Sequence, residues 1–176
     1  MLETILVATD GSHYAGRAVA LASYLAAKSD AKLIVLHVHP REASEELRRK
    51  AEAEYMIGPA AAMSGLAAGL SAPVAVPGTG AFSAHREEVS QDVIEAVGRQ
   101  ILEGANKTAK KTGVGDVRTI AQDGDPARAI LDCAKRERPD MIVMGRRGLS
   151  DLQGLLMGSV SHKVSHLADC ACLTVK

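Results

Sequence analysis

The sequence predicts an α/β protein: one domain with an open parallel sheet and helices on both of its faces. Three observations predict it. Short apolar runs alternate regularly with segments of helical periodicity, the pattern of strand–helix–strand crossovers. Three of those runs, Ile5-Leu-Val-Ala8, Leu33-Ile-Val-Leu36 and Met141-Ile-Val-Met144, are continuously apolar, as strands covered on both faces require. Directly behind the last of them stands Gly145-Arg-Arg-Gly148, and nine residues later Gly158-Ser159 opens a helical segment.

The elements follow in order. After the first strand, Thr9-Asp10-Gly11-Ser12 breaks the run, and Ser12 is placed to cap a helix through about Lys28. Ala18, Leu21, Ala22 and Leu25 share one face of it. Ser29-Asp30 turns the chain into the second strand, which ends near Val38-His39-Pro40. Val89, Val93, Ala96, Val97 and Ile101 mark a long amphipathic helix from about Glu88 to Lys111, stopped by Thr112-Gly113. Asp116 to Ala121 alternates as a third strand. Asp125-Pro126 pairs a capping residue with proline at the first helical position, and Ala129, Ile130, Cys133 and Ala134 form the apolar face behind it. Pro139 ends that connection, and Cys172 to Val175 is the fifth strand.

Composition narrows the function classes. At 176 residues a single domain can bury a sizeable core without disulfide staples. Aromatic residues are only 2% of the chain, so the core falls to Ala, Val, Ile and Leu. The same scarcity removes the stacking platforms that single-stranded nucleic acid needs. Formal net charge is zero, against the basic balance of a phosphate-tracking binder, so no nucleic-acid partner is expected. The start, Met-Leu-Glu-Thr-Ile, has no basic region or cleavage pattern, and three scattered cysteines suit reduced apolar filler. Both point to a cytoplasmic protein.

The glycine segment carries the chemistry. A strand–loop–helix junction presents free backbone N–H groups to an anion, and glycine lets the backbone come close or take positive φ. Ser159 and Ser161 add hydroxyls at the same helix start. There is no G-x-x-x-x-G-K-[ST] and no G-x-G-x-x-G after the first strand, so neither common phosphate loop applies. In parallel sheets ligands bind beyond the carboxyl ends of the strands. Asp10, Val38 and Gly145 all fall just after strand ends, which makes them candidates for one site.

The spacing G-x2-G-x9-G-[ST] resembles that of the universal stress protein family, in its ATP-binding branch. The resemblance runs from Met1 through Val175 with one insertion. It implies five parallel strands in the order 3-2-1-4-5, and ATP, with or without magnesium, as the ligand. It places Ala8, Thr9 and Asp10 beside the nucleoside, where the carboxylate would accept hydrogen bonds from ribose hydroxyls. It gives the backbone of Val38 the reading of adenine. Met144 and Gly145 would end the fourth strand against the nucleotide. Arg147, Gly148, Gly158, Ser159, Val160 and Ser161 would hold the phosphates. Asp10 and Val38 each have an ordinary structural reading as well, a turn residue and a strand-end valine.

The resemblance also implies a homodimer formed through the last strand, here Leu173 to Val175, and an edge strand is a natural pairing surface. Two features depart from the family pattern. Ala171 stands where the family usually has proline, and an insertion occupies about 41–86. The insertion opens with a charged helical stretch, Ser44 to Tyr55, in which Glu45–Arg49 and Glu46–Lys50 are i,i+4 pairs. From Tyr55 to Ala84 it carries no Asp, Glu, Lys or Arg, and Pro73, Pro77 and several glycines interrupt it, so no membrane span is expected. A loop, a lid over the nucleotide and a dimer arm all fit it.

Near the glycine motif only Asp10 suggests itself for activating water. Binding and sensing are therefore favoured over hydrolysis. Slow ATP turnover, autophosphorylation at Ser159 or Ser161, and a nucleotide-free dimeric scaffold are the alternatives. His37 and His39 share strand spacing, and His162 and His166 lie near Cys170, but neither set offers three or four ligands. No metal site is expected from them.

Overall fold

The computed structural model describes residues 2–39, 81–149 and 157–176, with the backbone alone for 81–93. The expected insertion lies outside the described residues except for its last few positions. By contacts the chain forms two units, Met1–Glu42 with Gly98–Lys176, and Ala43–Val97. Of the second, the described part is helical.

Nine elements alternate along the described chain: β1 (Thr4–Ala8), α1 (His13–Ser29), β2 (Lys32–His39), α2 (Ala81–Thr112), β3 (Val117–Asp123), α3 (Pro126–Glu137), β4 (Met141–Gly145), α4 (Ser159–Leu167) and β5 (Ala171–Val175). The five strands are parallel and lie in the order β3-β2-β1-β4-β5. The chain builds outward from β1 through β2 to β3, then returns to the other side of β1 for β4 and β5. The order reverses between β1 and β4, which leaves a crevice at their carboxyl ends.

Alternation along the strands sorts the core into two layers. Ile5, Val7, Leu33, Val35 and Val143 face one side, against Ala18, Ala22 and Ala26 of α1 and Leu102, Ala105 and Ala109 of α2. Leu6, Ile34, Leu36, Ile142 and Met144 face the other, against Ala129, Ile130 and Cys133 of α3 and Val164 of α4. Each fully buried Val, Leu or Ile is worth about 1.5–3 kcal/mol relative to exposure. With few aromatics, alanines on the helices let the backbones sit close to the sheet.

The caps are those the sequence specifies. Ser12 accepts the Ala15 N–H at 3.2 Å, and Asp125 accepts the Arg128 N–H at 2.8 Å with Pro126 following it. Asp30 closes α1 in the left-handed region at φ 53°. Two expectations shift. The buried stripe of α1 is Ala15, Ala18, Val19, Ala22, Ser23 and Ala26; Leu21 stands outside it, and Leu25 packs partly buried against the same core layer. Helix α2 begins at Ala81, seven residues before Glu88 and within the stretch assigned to the insertion. Ala81 follows Gly78-Thr79-Gly80, and no proline or glycine intervenes before Gly98, so nothing local stops the helix from extending back. In its described side chains the buried positions are Gly98, Leu102, Ala105 and Ala109 rather than Val97 and Ile101.

Candidate functional site

Asp10 follows β1 by two residues, and its carboxylate joins two loops. Oδ1 accepts the Ser12 N–H at 3.0 Å, and Oδ2 accepts the Leu149 N–H at 2.9 Å. Leu149 is the residue after Gly148, so the end of β1 and the glycine loop after β4 meet here. A carboxylate offers about four lone-pair sites, and these bonds use two of them. Among the described residues these are the backbone donors it accepts, and a carboxylate has the capacity to take hydroxyl donors as well.

The glycines answer to close approach. A Cβ on Gly145 would lie 2.9 Å from the Ala15 nitrogen and the Tyr14 carbonyl carbon, so the strand end rests on the first turn of α1. A Cβ on Gly148 would lie 2.5 Å from Asp10 Oδ2. A Cβ on Gly158 would lie 3.3 Å from the Arg146 carbonyl oxygen. None of the three has positive φ; among the described glycines that conformation falls to Gly11, Gly113 and Gly124.

Arg146 pins the loop. Its N–H donates to the Val175 carbonyl at 2.7 Å, and its carbonyl accepts the Gly158 N–H at 2.9 Å. The Ser161 hydroxyl has one proton and two acceptors in reach, the carbonyls of Arg146 at 2.8 Å and Gly158 at 3.0 Å. Ser161 is buried, so its hydroxyl fastens the loop to the helix and does not point outward. Ser159 is exposed at the first position of α4. Gly158 caps that helix without a side chain, so it makes no side-chain cap bond to the N–H groups of the first turn. Such a turn suits an anion, with a dipole contribution of about 0.3–1 kcal/mol when exposed. The Arg146 guanidinium lies 5.8 Å from the centre of the Tyr14 ring.

The other side of the site rests on β2. Thr9 is buried; its N–H donates to the Leu36 carbonyl at 2.9 Å, and its hydroxyl accepts the Gly11 N–H at 3.3 Å. The Thr9 carbonyl faces His37 Nδ1 at 2.8 Å, so that nitrogen carries the proton and donates. Burial lowers the His37 pKa and outweighs the bond to Thr9, which raises it; nearby His39 lowers it further, and the Asp10 charge opposes. His37 and His39 meet edge to face, 4.8 Å between ring centres, beneath Gly98 of α2. A side chain at Gly98 would overlap the His39 ring. Val38 and Met144 lie on the opposite face of the sheet, packed in the second core layer.

The structure thus brings Asp10 and Gly148 together, with Gly145 and Gly158 on the same loop. Ala8 and Thr9 lead into Asp10; Val160 packs partly buried behind Gly158. Arg147 is half-buried in the loop. Val38, one strand over from β1, is near the site only through the end of its strand. Two features go beyond the sequence reading, which named His37 only in weighing a metal pair with His39. Leu149 acts through its backbone, which carries no residue signal. His37 left one, a titratable residue at a core-facing position of an apolar strand. Among the described residues no group of three or more His, Cys, Asp or Glu gathers as a metal centre.

An open α/β sheet with a pinned glycine loop at its switch point defines a class of proteins, and comparison with known proteins names the family. The chain belongs to the universal stress protein family, whose sequence model matches residues 1–176. It is 34% identical over 176 residues, the full length of both chains, to universal stress protein YxiE of Bacillus subtilis. Among solved structures it resembles the universal stress protein UspA from Lactobacillus plantarum, at TM-score 0.71 and 20% identity over 99% of this chain and 98% of that one. It also resembles a universal stress protein crystallised in complex with cAMP, at TM-score 0.63 and 26% identity over 99% of this chain and 97% of that one.

Proposed function

We propose that this chain is a nucleotide-binding regulatory module that takes ATP at the carboxyl ends of β1, β2 and β4. The observation that carries the reading is the Asp10–Leu149 hydrogen bond at 2.9 Å. It sets a carboxylate beside a glycine loop and a helix start whose cap residue, Gly158, makes no side-chain cap bond. In this reading Asp10 takes the ribose hydroxyls, the Val38 backbone reads adenine, and Gly148 with the first turn of α4 takes the phosphates. The cAMP bound by one structural relative supports an adenine nucleotide here. Magnesium would arrive on the phosphates, since it keeps most of its water and needs few protein ligands.

The domain is read as residues 1–176 with an insertion after β2, and its location as cytoplasmic. The described residues hold no helix long and apolar enough to cross a membrane. A homodimer would form along β5, which pairs with β4 on one side and is an edge on the other.

The test is to denature the purified chain and identify released nucleotide by chromatography, followed by calorimetry of the emptied protein with ATP. Adenine nucleotide released or rebound at one per chain supports the reading. At 100 times the dissociation constant, ATP should add about 2.7 kcal/mol of stability. A folded chain that neither releases nucleotide nor gains stability with ATP would leave the scaffold alternative standing.

A further inference from the structure

Helix α4 carries His162 and His166, one turn apart; the His162 N–H closes the first helical bond to the Gly158 carbonyl at 2.9 Å, and His166 lies in the last turn. We infer that this pair is a two-point surface chelate for a late first-row divalent metal: zinc, nickel or copper. Residues four apart lie on one helix face. Both imidazoles are exposed, and their rings stand nearly parallel, 16° between planes and 6.4 Å between centres. Exposed side chains with this alignment need only pivot about χ1 and χ2 to set one nitrogen each at about 2.0–2.1 Å from a shared ion. Two histidines at i and i+4 supply zinc in the same way in helical H-E-x-x-H sites.

The surroundings permit a cation. The adjacent Lys163 ammonium lies 3.8 Å from the Asp125 carboxylate, which draws it aside and offsets its charge. With two protein ligands the ion keeps open positions for water, so this is an open site and not a closed structural centre. Imidazole donors set its preference: copper binds above nickel and zinc, whereas magnesium, which seeks hard oxygen ligands, does not bind. The inference rests on the two exposed rings and not on the nucleotide reading, although His162 follows Ser161 directly on the same helix.

The experiment uses the untagged, full-length chain. Isothermal titration with zinc and with nickel at neutral pH is run beside retention on a nickel-charged column. One ion per chain and clear retention are expected, with magnesium giving no heat. His162→Gln and His166→Gln should each lose both signals with circular dichroism unchanged, because the replaced rings are exposed. His13→Gln, which removes an exposed histidine on α1, should keep them. Absence of binding in the parent chain overturns the inference, and so does binding that survives in either glutamine variant.

Discussion

Asp10 Oδ2 and the Leu149 N–H, 2.9 Å apart, connect positions 139 residues apart in sequence. This bond holds the glycine loop against the end of β1. The carboxylate therefore has a structural task before any ligand arrives, and that task can be measured separately from binding.

Asp10→Ala should cost about 1–3 kcal/mol of stability, because two partly buried backbone N–H groups lose their acceptor. Asp10→Asn keeps one carbonyl oxygen and should fall between the two. Urea denaturation reads both. If nucleotide binds as proposed, the alanine variant should also lose it while remaining folded. A parent-like unfolding midpoint in Asp10→Ala would mean that the bond does not hold the loop.

Gly148 is coupled to the same carboxylate. An added Cβ would sit 2.5 Å from Asp10 Oδ2, too close without displacing it. Gly148→Ala should therefore lose about 1 kcal/mol, the worth of the hydrogen bond it dislodges, and Gly148→Val more. The effects should not add. With Asp10→Ala in place the obstructing oxygen is gone, so Gly148→Ala should then cost little in a double-mutant cycle. Additive costs would show that the glycine is needed for some other reason.

These residues also show how far the sequence could be read. Periodicity and punctuation gave the order of the elements, because buried parallel strands must be apolar throughout and caps need particular side chains. Ser12, Asp125 and Pro126 behave as their chemistry requires. The glycine pattern located the loop, and of the two reasons for glycine, close approach and positive φ, the first holds: Gly145 and Gly148 come close to α1 and to Asp10, with no positive φ. The outward role expected of Ser161 is not seen, since its proton turns to the Arg146 and Gly158 carbonyls. Contacts to backbone atoms, as at Leu149, leave no trace in residue identity. The stripe of α1 was displaced for a related reason: alanine and leucine both count as apolar, and only the helix–sheet distance decides which one faces inward.

Asp140 makes a second carboxylate latch, away from the site. Its Oδ2 accepts the N–H groups of Glu3 at 2.7 Å and Thr4 at 2.9 Å. These bonds, with the one to Thr4 foremost, hold its pKa below the ordinary 3.8. A depressed carboxylate pKa stabilises the fold above the unfolded value and loses that contribution as pH falls through the folded one. Asp140→Ala should therefore lower the melting temperature at neutral pH. The gap to the parent should persist down to pH 3.8 and close only in stronger acid. A gap that closes well above that pH would show that other carboxylates govern the start of β1.

His37 shows the same direction of linkage at a higher pH, from burial instead of hydrogen bonding. Burial chiefly lowers its pKa below 6.5, so the folded state keeps the ring neutral where the unfolded chain would protonate it. Between the folded value and 6.5 the unfolded state binds the extra proton, and stability rises with pH. The parent should thus lose stability as pH falls below 6.5, by at most about 1.4 kcal/mol per pH unit for one proton. His37→Asn retains an N–H to donate to the Thr9 carbonyl and cannot titrate. It leaves a gap beside His39 and Gly98, so its absolute stability will be lower, but its pH slope should be shallower over this window. The difference between the two slopes isolates His37, since the other groups common to both chains cancel. Equal slopes between pH 7 and pH 5 would show that the buried imidazole is accommodated when charged.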